Sequence, residues 1–69
     1  MSSFYSKEMI EETSREAAEA LTRTADWMAK QTMQNMLRVN PDAAAAHGGQ
    51  EQLLGKLRSS YQNSLTLAG

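Results

Sequence analysis

From Ser6 to Val39 the chain runs without a glycine or a proline, and Asn40-Pro41-Asp42 then stops it. An uninterrupted stretch of that length with helical periodicity predicts one long amphipathic helix over 6–39. Wound at about 100° per residue, it carries Ile10, Ala17, Leu21, Ala25, Met28, Met36 and Val39 on one stripe, with Ala18 and Ala29 at its edge. Glu8, Glu12, Arg15, Glu16, Glu19, Arg23, Asp26 and Lys30 fall opposite. An apolar stripe is unstable in water, so the fold is decided by what covers it.

The 69 residues suffice for a single small domain. Chains this short bury little surface and usually need a staple, a metal or self-association. There is no cysteine and one histidine, His47. Disulfides, cysteine-based zinc sites and His-rich metal sites are thereby excluded, and self-association remains. Seven basic against eight acidic residues give no excess of positive charge, which disfavours a stand-alone nucleic-acid binder. The charge is nonetheless uneven. Five glutamates face one arginine between Glu8 and Glu19, whereas the tail holds Lys56 and Arg58 and no acid. Glutamates near a helix start suit its dipole.

No apolar run approaches the length of a membrane span, and Met1–Tyr5 lacks the basic and apolar regions of a signal peptide. The expectation is a cytoplasmic protein. Ser6 should cap the long helix, with Tyr5 and Ile10 placed as a hydrophobic staple; Phe4 is open to either structure or partner binding. Spacings at Glu11–Arg15, Glu12–Arg15, Glu19–Arg23 and Asp26–Lys30 are attractive, while Glu8–Glu12 and Glu12–Glu16 repel weakly.

Asn40 can cap a new helix with Pro41 at its first position. A second helical segment is expected over about 43–66, with a turn at 40–42. Gly48-Gly49 should break or kink it. From Gln50 the apolar pattern resumes at Leu53, Leu54, Leu57, Tyr61 and Leu65. The predicted fold is therefore all-α: a helical hairpin of one long and one shorter helix, in a single domain. The shorter helix can cover only part of the longer one, and the Ile10–Ala17–Leu21 end would stay bare in a monomer. A two-fold homodimer with a four-helix arrangement answers this. Its core and dimer candidates are Ile10, Ala17, Leu21, Ala25, Met28, Leu54, Leu57 and Tyr61.

Catalysis finds no support. The glutamates sit on a solvated face, Gly48-Gly49 lacks the Lys and Ser/Thr of a phosphate-binding loop, and His47 has no companion ligand. No enzyme activity, cofactor or metal is expected. Protein recognition is. Trp27 lies on the rim of the stripe, where it either packs inside the assembly or anchors a partner. Met33 and Leu37 break the polar face near the turn, beside Met36. They are either covered by the second helix or form, with Arg38, an adaptable binding surface.

In size, in the Ser6–Val39 helix, the Asn40-Pro41-Asp42 turn and the Leu53–Leu65 amphipathic segment, the chain resembles the small helical-hairpin inhibitors that bacteriophages and bacteria direct against regulators. The phage quorum-sensing anti-activators are the particular likeness. That resemblance implies a dimer that binds a bacterial transcriptional activator of the LuxR type and blocks its DNA binding. It also implies a possible second host target, such as a pilus-assembly ATPase. It transfers no binding residue. A secretion-system subunit, a secretion chaperone and an RNA-binding hairpin dimer share the architecture and stay open; the last lacks its basic face here.

Overall fold

The computed structural model describes residues 6–68. It holds three helices, α1 (Lys7–Val39), α2 (Ala43–Ala46) and α3 (Gln50–Ala68), and no strand among the described residues. The molecule is a rod of 60 × 17 × 15 Å. Ser6 caps α1, its Oγ accepting from the Met9 N–H at 3.1 Å. The expected Tyr5–Ile10 staple and the role of Phe4 lie outside the described residues.

Residues 40–42 separate α1 from α2. Asn40 closes α1 by donating its N–H to the Met36 carbonyl at 2.8 Å. Its side-chain oxygen then accepts from the Asp42 N–H at 3.1 Å, but this closes an Asx turn rather than capping a helix: α2 starts at Ala43 with Asp42 at its N-cap, so Asn40 is not the cap expected of it. Pro41 and Asp42 stay in a turn, and α2 is a single turn of alanines. Gly48 (φ +88) and Gly49 (φ +109) interrupt the chain before α3. The left-handed region suits glycine alone among common residues. The break is thus fixed by backbone geometry, with the Gly49 N–H tied to the Ala44 carbonyl at 2.7 Å. α3 continues to Ala68, two residues beyond the expected end.

α3 runs back along α1, meeting it at Arg58–Asp26 and again at Gln62–Thr22. Ala25 and Ala29 are fully buried at 0% exposure, and such small side chains let two helices approach closely. Thr32 and Tyr61 join their hydroxyls across the same contact. A helical side chain leans toward the N-terminus of its own helix. Tyr61 therefore points along α3 toward the turn end, where Thr32 lies. At that end all three helices touch, and Ala43, Ala44 and Leu53 are buried. Leu53 is the largest side chain to be fully enclosed, with 2% exposed.

The face that α3 covers is not centred on the predicted stripe. Ala25 is buried and Leu21, Met28 and Met36 are half-buried. Ile10, Ala17 and Val39 are exposed in the single chain, so they form no core within it. The covered face is centred on Ala25, Ala29 and Met36, and it takes in Asp26 and Met33 from the side predicted to be solvated. On α3, Leu54, Leu57 and Tyr61 are half-buried, and Leu53, absent from the core candidates, is the anchor. Every residue from Lys7 to Ala20 is exposed. The first 14 residues of α1, about 20 Å of helix, are thus left bare by α3.

Candidate interaction surfaces

Polar chemistry converges on one residue, Asp26. Its Oδ2 meets the Lys30 Nζ at 2.9 Å, one helical turn on. Its Oδ1 accepts from the Arg58 Nε at 2.9 Å and lies 2.7 Å from the Arg58 Nη2, a link between α1 and α3. Arg58 thereby acts as a strut between the helices. Asp26–Lys30 is the one predicted i,i+4 attraction that forms an ion pair among the described residues. Glu11, Glu12, Arg15, Glu19 and Arg23 leave theirs unmade.

The Lys30 ammonium does most to hold the Asp26 carboxyl below its ordinary value; partial burial opposes this, and Arg58 adds to the lowering. A carboxylate with a lowered folded pKa contributes stability above its unfolded pKa, about 3.9. That contribution is lost as pH falls through the lower folded value. Thermal melts from pH 6 to pH 2 should therefore fall more steeply for the native chain than for Asp26→Asn. All other carboxylates are common to both, so superimposable profiles would show that this ion pair adds nothing.

The apolar candidates do not form one patch. Trp27 is 64% exposed and Arg38 is exposed on the same side of α1, about 16 Å further along. Met33 and Leu37 lie about 110° round the helix and are half-buried, so the chain itself takes up part of the surface expected for a partner. Met36 faces α3. At the turn end it floors a shallow apolar groove with Asn35, Val39, Asn40 and Ala43. Val39, 88% exposed, is the large apolar residue that stands most clear there. Nothing in the wheel marked it as outward-facing, because it shares an azimuth with Leu21. A second shallow groove lies on the projecting end of α1, among Met9, Ile10, Thr13 and Ser14.

His47 is exposed and ends α2, its N–H bonded to the Ala44 carbonyl at 3.0 Å. No group of three or more His, Cys, Asp or Glu among the described residues could hold a metal ion. No described helix is long and apolar enough to cross a membrane. The described residues present three surfaces: an apolar turn end, a projecting helix and a charged flank. In comparisons with known proteins, the chain matches no family model, no curated protein and no solved structure.

Proposed function

We propose that this chain is a protein–protein interaction module, a helical hairpin that acts as a homodimer and inhibits a bacterial regulator by occupying its surface. The regulator class that the sequence resemblance implies is a LuxR-type activator, whose DNA binding the module would block. The carrying observation is Val39, a large apolar side chain 88% exposed beside a groove at the turn end. An isolated apolar tip beside an exposed cation, Arg38, is a suitable contact for a protein surface. The RNA-binding alternative loses ground, since Arg58 and Lys30 are both engaged by Asp26.

The test is a DNA mobility-shift titration of a purified LuxR-type activator. The native chain should release the DNA at stoichiometric excess. A Val39→Asp, Arg38→Glu variant should need about tenfold more or fail, while keeping its helical circular dichroism. A DNA complex that survives excess native chain removes the LuxR reading, and reversible filament formation by the same sample would favour a structural subunit instead.

A further inference from the structure

Beside the charged flank of α1, a second seam runs along the exposed side: Ile10, Thr13, Ala17, Ala20, Thr24 and Trp27. Its steps alternate three and four residues, the spacing of a two-helix coiled-coil seam. It lies about 130° round the helix from the Ala25–Ala29 face, at about 100° per residue, so α3 does not obstruct it. Ile10 is 54% exposed and every other member is exposed as well.

The seam reads nearly the same in both directions. A large apolar residue, a threonine and an alanine are followed by an alanine, a threonine and a large apolar residue. Such a sequence is its own complement when two copies run antiparallel, because Ile10 then meets Trp27, Thr13 meets Thr24, and Ala17 meets Ala20. The flanking charges complement this pairing. Glu16, one residue before Ala17, and Arg23, three residues after Ala20, border the seam on one side, and both are exposed. With Ala17 set against Ala20 of an antiparallel copy, those two flanking positions come together across the seam. An antiparallel copy sets each against the opposite charge.

We propose that α1 pairs with α1 of a second copy about a two-fold axis beside Ala17 and Ala20, in the antiparallel register that places Glu16 against Arg23 of the second copy. This rests on the dimeric reading above and supplies its geometry. The register lays the projecting end of each α1 along the middle of the other, covering the stretch that α3 leaves bare. It also leaves both turn ends, with Val39, outside the pairing. The seam spans about 26 Å. A standard interface removes about 800 Å² per partner. A pairing this narrow is expected at the micromolar end of the affinity range.

A charge-swap experiment tests the register. Glu16→Arg and Arg23→Glu are made as separate chains, and sedimentation equilibrium is measured for each and for their equimolar mixture. The native chain should dimerise, and its sole tryptophan should shift its emission to the blue as concentration rises. Each variant alone faces two like-charged pairs and should associate roughly tenfold more weakly. The mixture restores both attractions and should form a heterodimer at native affinity. A native chain that stays monomeric overturns the dimeric reading itself. Variants that dimerise as well as the native chain, or a mixture no tighter than its components, overturn the register while leaving dimerisation standing.

Discussion

Replacing Leu53 with alanine is expected to remove about 2–5 kcal/mol of stability. The side chain is 2% exposed and stands at the corner where α1, α2 and α3 meet. α2 is one turn of alanines and has no long side chain with which to refill the void. Domains of this size carry roughly 3–10 kcal/mol in all, so the loss is a large share of the total. Each kcal/mol moves the midpoint of thermal unfolding by about 4–8 °C, and a fall of 10 °C or more should be plain by circular dichroism. A drop of under 1 kcal/mol would mean that the corner is held by something other than this leucine.

The second large effect comes from adding volume. Ala29→Leu places three extra carbons where the alanine is already fully enclosed and α1 meets α3. Overpacking of this kind costs about 1–3 kcal/mol. Here the room must come from moving α3 outward, which would lengthen Arg58–Asp26 and part Thr32 from Tyr61. Ala45→Leu, on an exposed alanine of α2, is the control and should change stability by no more than about 0.5 kcal/mol. Equal melting temperatures for the two variants would show that the α1–α3 contact is looser than its buried alanines indicate.

Local chemistry was legible in the sequence. The Ser6 cap and the interruption at Gly48-Gly49 each follow from what a single residue type can do with its own backbone. The azimuth of packing was not. α1 bears two weakly apolar faces: one around Ala25 and Ala29, the other along Ile10 to Trp27. A hydropathy wheel averages them, and its stripe falls between, through Leu21 and Met28. Choosing the inner face requires α3, because its orientation is set by polar partners: Arg58 for Asp26, Tyr61 for Thr32 and Gln62 for Thr22. Pairs separated by 29 to 40 residues leave no trace in the periodicity of either helix.

The same ambiguity governs the candidate surface. Trp27 was marked by its residue type, whereas Val39 looked like core and stands outside it. Met33 and Leu37, singled out as misplaced apolar residues, owe their position partly to the packing of the second half of the chain. Alanine, threonine and methionine suit either environment, and such residues make up most of both faces.

The bare amino-terminal end of α1 gives one continuous helix two different fates. Its carboxyl-terminal half can open only when the helices beside it come apart, but its first 14 residues are exposed and rest on their own backbone bonds and the Ser6 cap. An isolated helix of that length is marginal in water, so amide protons there should exchange in a gradient that rises toward Ser6. Deuterium uptake along that gradient thus becomes a gauge of occupancy, slowing turn by turn wherever another molecule settles against the rod.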